Sequence, residues 1–235
     1  MLEPKNEQLG ELGIDEAVES TAVSVHDAIS KLEASNDNVE IAGEVFDDKT
    51  TVYLNLKAAM EAVQEIHPNA NLDKIYLQKF NGGIRGESRE NGTYIDPREA
   101  LNLSRLIHTI LHEVSHQDGR LASEPVVDAY ARAKAAVLGY NIAGDVSEEY
   151  KADLDSYYEW LENVKDPNES VQDAAIRFYE MYDLENYEGI FEAHERIYKN
   201  MDAAAQDAAF EKFQKAFPDL DWKGDGRFHL VDKAA

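Results

Sequence analysis

One stretch in the middle of the chain, His112-Glu113-Val114-Ser115-His116, has the residue types and spacing to hold a metal ion and use it. On a helix, residues four apart share a face and lie about one turn from each other. Two imidazoles so placed can grip one Zn²⁺, while the adjacent Glu113 points at a water beside the ion. The ion lowers the pKa of that water, and the glutamate takes its proton as general base. The chemistry this spacing serves is hydrolysis.

A catalytic zinc takes three protein ligands and keeps a fourth position open. Beyond His112 and His116, the chain offers Asp118, Glu124 and Asp128. Asp118 sits two positions after His116, off the histidine face, and ranks last. Glu124 and Asp128 are four apart on the helix that follows, so they share a face. Such a pair divides two tasks: one carboxylate ligates, and the other accepts the far ring N–H of a ligating histidine and fixes its tautomer. Glu124 is therefore assigned to the metal and Asp128 to the position behind it, with Asp128 as the alternative ligand.

His108 lies on the same face, but one zinc cannot be reached by His108 and His116 together, about 12 Å apart along the axis. It is expected to pack or to support a ligand. Hydrolysis of a peptide also needs a donor for the developing oxyanion. His194, Tyr198, His229 and Arg227 are the candidates, each with a plain surface position as its simpler reading. The competing account of His112 and His116, as ordinary core histidines, leaves Glu113 unexplained. An unpaired carboxylate on an apolar helix costs on the order of several kcal/mol.

The elements around the motif follow from periodicity. Leu101, Leu103, Leu106, Ile107, Ile110, Leu111 and Val114 nearly surround residues 97–118, as on a buried helix, and Gly119 ends it. Upstream, residues 21–34 and 56–67 read as helices, with Pro68 stopping the second. Residues 38–46, 50–54, 74–80 and 92–97 read as strands, and 85–91 as a polar loop. Downstream, 123–138, 147–164, 170–182, 187–198 and 202–217 read as helices. The expected fold class is α+β: a small mixed or antiparallel sheet packed on the motif helix, followed by a mostly helical half. The expected organisation is a mobile lead-in over 1–20, one domain over 21–218 (sheet part 21–97, active-site helices 98–138, helical half 147–217) and a polar tail over 219–235. That tail echoes a calcium loop from Asp221 to Asp232, but Lys223 stands at its third position and too little chain follows for the second helix.

Composition narrows the partners. The 235 residues carry 23 Lys+Arg against 47 Asp+Glu, a net charge of −24, which disfavours nucleic acid and anionic membrane. A solvated acidic surface is the simplest reading, and a basic target the alternative. Cysteine is absent, so any metal must be held by His, Asp or Glu. No basic-plus-apolar leader opens the chain and no apolar run of membrane length occurs, so the expected location is the cytoplasm, or outside it as part of a larger exported protein.

His112-Glu113-x-x-His116 followed by Glu124-x-x-x-Asp128 resembles the gluzincins, a group of zinc metallopeptidases, and Glu124-x-x-x-Asp128-x-Tyr130-Ala131 resembles its small bacterial members that cut repressors. The likeness covers roughly residues 72–138. It implies a zincin-like fold, Zn²⁺ on His112, His116 and Glu124, Glu113 as base and Asp128 as the partner of His112. It also implies a substrate-binding edge strand, at residues 92–96. The chain departs from that pattern in its short interval from His116 to Glu124. Gly119 falls where metzincins place theirs, yet Ala122 stands where their third histidine would be; the aspzincins, with an Asp ligand at short distance, keep Asp128 open as a ligand. The expected activity is zinc-dependent endopeptidase action on a protein or peptide. The alternatives are a zincin-like binding module without turnover, and a secreted toxin or effector protease with one target protein.

Overall fold

The computed structural model describes residues 22–35, 37–116, 123–140, 142, 148–184, 186–217, 220–222 and 228–230. The lead-in, Asp118, Gly119, Ala122 and Arg227 lie outside these, as does the side chain of His229. Strand β1 (Val23–Ser24) leads into helix α1 (Val25–Ala34), which Ser24 caps by accepting a hydrogen bond from the Asp27 N–H. A short hairpin follows, β2 (Val39–Ile41) with β3 (Glu44–Phe46).

Helix α2 (Lys49–Ile66) comes next, and it replaces the strand expected over 50–54. The β-forming run Thr50, Thr51, Val52, Tyr53 is overruled by two features. Asp48 caps the helix by accepting from the Thr51 N–H at 3.0 Å. Val52, Leu56, Ala59, Met60 and Val63 then form one buried face at helical spacing.

The sheet that carries the site has four strands: β1, β4 (Ile75–Leu77), β6 (Gly92–Ile95) and β5 (Gly86–Arg89), in that spatial order. The β4–β6 pair is parallel and its flanking pairs are antiparallel. Two sequence expectations are corrected here. Residues 86–89 form a strand rather than a polar loop. Consequently residues 92–95 lie inside the sheet, and the edge strand is β5. The expectation failed because β5 is polar and short; only its register against β6, Glu87 opposite Tyr94 and Ser88 opposite Thr93, makes it a strand. Asp96 locks this end of the sheet. It is 1% exposed, accepts from the Phe80 N–H and pairs with Arg98.

A 3-10 turn (Pro97–Leu101) precedes the motif helix α3 (Leu103–His116), so the helix begins six residues later than periodicity suggested. Helix α4 (Glu124–Val137) packs on α3, and then come α5 (Glu148–Val164), α6 (Val171–Asp183), α7 (Tyr187–Tyr198) and α8 (Ala203–Ala216). The expected polar tail contains a hairpin instead, β7 (Leu220–Trp222) with β8 (Phe228–Leu230).

The chain is a mixed α+β protein, and two apolar clusters hold it together. One joins α1, α2, the sheet and the inner face of α3; the other joins α5 to α8 around Trp160, Phe178 and Phe213. Helix α4 is shared between them: Ala131 and Ala135 belong to the first, and Val126, Val127 and Tyr130 to the second. Among the described residues no helix is long and apolar enough to cross a membrane.

Candidate metal centre

Leu106, Ile107, Ile110, Leu111 and Val114 are buried and fix the rotation of α3. That rotation turns His108, His112 and His116 toward α4 and Glu113 toward β5. The C-terminal turn of α3 is further fastened from outside. Tyr179 of α6 donates its hydroxyl to the Ser115 carbonyl at 2.9 Å. The Tyr179 ring stacks on Tyr130 of α4 at 3.8 Å, and the Tyr130 hydroxyl meets His67 Nε2 at 2.9 Å.

Glu124 is the first residue of α4, with Pro125 next, a good pair for starting a helix. The N-cap hydroxyl of Ser123 is turned away to the Ala216 carbonyl, so no side chain caps this end. A carboxylate here is favoured by the positive end of the helix dipole.

Three side chains converge. His112 Nε2 lies 3.1 Å from Glu124 Oε2. His116 Nε2 lies 3.3 Å from His112 Nε2 and 3.5 Å from Glu124 Oε1. Ligands at about 2.05 Å from a tetrahedral zinc are about 3.3 Å apart. The two imidazole nitrogens are thus spaced as one edge of such a polyhedron, each has one oxygen of the Glu124 carboxylate at a similar distance, and the donor set, two imidazoles and one carboxylate, suits zinc. The side chains of His112 and His116 are 15% and 17% exposed and that of Glu124 is 61% exposed, so the trio opens to solvent. Hydrogen bonds from the two imidazoles hold the Glu124 carboxyl well below its usual range.

Glu113 stands beside this trio with a different environment. Burial raises its carboxyl above the usual value, against the pull of His112 and His116. The backbone N–H of Ser88 in β5 also works against that rise. The strand can approach this closely because residue 86 is glycine: a Cβ there would lie 2.7 Å from Glu113 Cγ and 2.9 Å from Thr109 Cγ2. Sequence reasoning missed Gly86, which carried no signal without the strand pairing.

A second cluster lies behind the first. Asp128 is 3% exposed, and its Oδ1 is 2.8 Å from His108 Nε2 and 3.8 Å from His112 Nδ1. Its Oδ2 is held by Arg132, which also donates to the Ile142 carbonyl at 2.6 Å. Burial raises the Asp128 carboxyl, but His108 and Arg132 outweigh it and the net shift is downward. The expectation that Asp128 serves His112 is therefore amended: its nearest imidazole is His108. The groups His108, His112, Asp128 and His112, His116, Glu124 each have the composition of a metal site. The guanidinium on Asp128 argues against a cation in the first of these and leaves the second as the candidate metal centre. Arg132 was missed as well, although its position four after Asp128 on one helix was readable.

Of the oxyanion candidates, His194 and Tyr198 pack within the helical half, while Arg227 and the side chain of His229 lie outside the described residues. His194 is 3% exposed in the helical-half core, where its Nδ1 accepts from Trp160 Nε1–H at 3.2 Å. Its ring packs on Phe213 at 4.5 Å and on Tyr198 at 5.7 Å. His194 and Tyr198 both belong to α7, which packs on α5, α6 and α8.

Compared with known proteins, the chain matches no family model, no curated protein and no solved structure.

Proposed function

We propose that this protein is a zinc-dependent endopeptidase of gluzincin type. The observation that carries the reading is the spacing of His112 Nε2, His116 Nε2 and Glu124 at 3.1 to 3.5 Å, with Glu113 alongside. When bound, zinc supplies Lewis acidity, lowering the pKa of a water and polarising a carbonyl. Glu113, whose burial raises its proton affinity, takes the proton of the attacking water and passes it to the leaving amine.

Strand β5 is the place for substrate. The Asp96 N–H bonds the Arg85 carbonyl at 2.7 Å, so Arg85 and Glu87 turn their backbones toward β6. Gly86 and Ser88 then face the outer edge, with which no described strand pairs, on the side of Glu113. An extended peptide pairing with that edge would bring its backbone to the base. The net charge of −24 favours basic or neutral targets over acidic ones.

The test is metal content and turnover together. The purified protein should bind one zinc per chain, and Glu113→Gln should keep that zinc while losing peptidase activity by about 10²- to 10⁴-fold. A protein that takes up no stoichiometric zinc, or a fully active Glu113→Gln variant, overturns the reading.

A further inference from the structure

We infer that His108 and Arg132 form a clamp that presents Asp128 to His112, making His108 a positioning residue for the metal centre. The inference rests on the zinc reading above.

Asp128 is a carboxylate buried in the seam between α3 and α4, and it must be compensated there. Arg132, one turn along α4, takes Oδ2 and is itself anchored on the Ile142 carbonyl. Oδ1 remains, and it faces α3, 2.8 Å from His108 Nε2. A carboxylate oxygen accepts two hydrogen bonds. The second place on Oδ1 lies toward His112 Nδ1, at 3.8 Å.

That second place has a use. A histidine that gives Nε2 to a metal carries its proton on Nδ1 and needs an acceptor for it. His112 Nδ1 is buried with no aligned hydrogen bond, and the same holds for His108 Nε2. The two rings and the carboxylate are gathered but not closed. A small turn of Asp128 or of the rings would let Oδ1 accept from both. With Arg132 alone, Oδ1 has nothing to keep it on the α3 side. His108 supplies that hold from the ligating helix itself, one turn before His112, so any shift of α3 moves ligand and clamp together. A second cation on His108, His112 and Asp128 is the rival account, and the guanidinium on Asp128 opposes it.

The experiment measures zinc affinity by competition with a chromophoric chelator, together with zinc stoichiometry and the visible spectrum of the cobalt-substituted protein. His108→Leu should weaken zinc by about 10- to 100-fold, the range for loss of a group that orients a ligand. His108→Gln should recover most of it, since the amide nitrogen reaches about as far as Nε2 and still donates. The cobalt spectrum should change in His108→Leu and return in His108→Gln. Nitrogen-15 spectra of the unaltered zinc-loaded protein provide a readout independent of any variant's folding: the His108 Nε2 and His112 Nδ1 protons should both be hydrogen-bonded. Unaltered affinity in His108→Leu, no recovery in His108→Gln, or a solvent-exchanging His112 Nδ1 proton overturns the clamp while leaving the peptidase reading in place. Two zinc ions per chain, one lost in His108→Leu, also overturns it in favour of the second cation site. An unaltered protein that takes up no zinc removes both readings.

Discussion

Glu124 and Asp128 show how position, more than residue type, separates two carboxylates four residues apart. Glu124 is exposed at the first position of α4, with an oxygen 3.1 Å from His112 Nε2. Asp128 is one turn deeper, buried, and committed to Arg132 and His108. Replacement should separate them. Glu124→Ala removes a ligand and should abolish stoichiometric zinc. Asp128→Ala should leave one zinc per chain, bound about 10- to 100-fold more weakly. A reversed order in a chelator titration would make Asp128 the ligand. The spacing of His112, Glu113, His116 and Glu124 made this much readable from the sequence, because helical geometry is regular enough to place residues four apart. What was not readable was which imidazole Asp128 meets. That depends on the separation and rotation of α3 and α4, set by packing that spans the chain.

At the level of elements, the instructive case is β5. A strand of sequence Gly-Glu-Ser-Arg has no apolar alternation, because the face toward α3 carries only Gly86 and Ser88 and the opposite face carries Glu87 and Arg89. Pattern reading therefore passed over it, and the gluzincin likeness put the edge strand at 92–96, where the four strand residues 92–95 are all buried. The same error type produced a strand at 50–54, where β-branched residues sit within a capped, amphipathic helix. Helices with a clear apolar face, α3 to α8, were legible to within a few residues at most ends. The close fit of β5 on α3 yields a specific expectation. Gly86→Ala places a methyl group 2.7 Å from Glu113 Cγ and 2.9 Å from Glu113 Oε1, so the Glu113 side chain must move. Zinc content should be unchanged, since no ligand is touched, while kcat falls by about 10- to 100-fold. An alanine variant with normal kcat would show that Glu113 does not act from the position it holds against β5.

Across the whole molecule, the candidate metal centre sits where two cores meet. Helix α4 contributes to both apolar clusters, and its first turn provides Glu124 while its second provides Asp128. Among the described residues, the helical half meets the candidate site through its packing on α4 and through Tyr179. His194 makes that division measurable. Burial in the aromatic core lowers its imidazole to about 4, against about 6.5 in the unfolded chain. Its geometry agrees: Nδ1 accepts from Trp160 Nε1–H, and a proton placed there would break that bond. Between pH 6.5 and 4 the unfolded state binds the proton and the folded state does not, so stability falls as the solution is acidified through that window. Above pH 6.5 both states are neutral and the contribution is flat. The slope reaches about 1.4 kcal/mol per pH unit, and the whole effect is on the order of 3 kcal/mol. His194→Asn keeps an acceptor near the Nδ1 position but does not titrate. Urea titrations of the metal-free protein, followed by tryptophan fluorescence, should show the natural chain losing stability relative to His194→Asn from pH 6.5 to 4. Parallel curves across that window would mean that the core accepts a charged imidazole, and that the helical half is looser than its packing indicates.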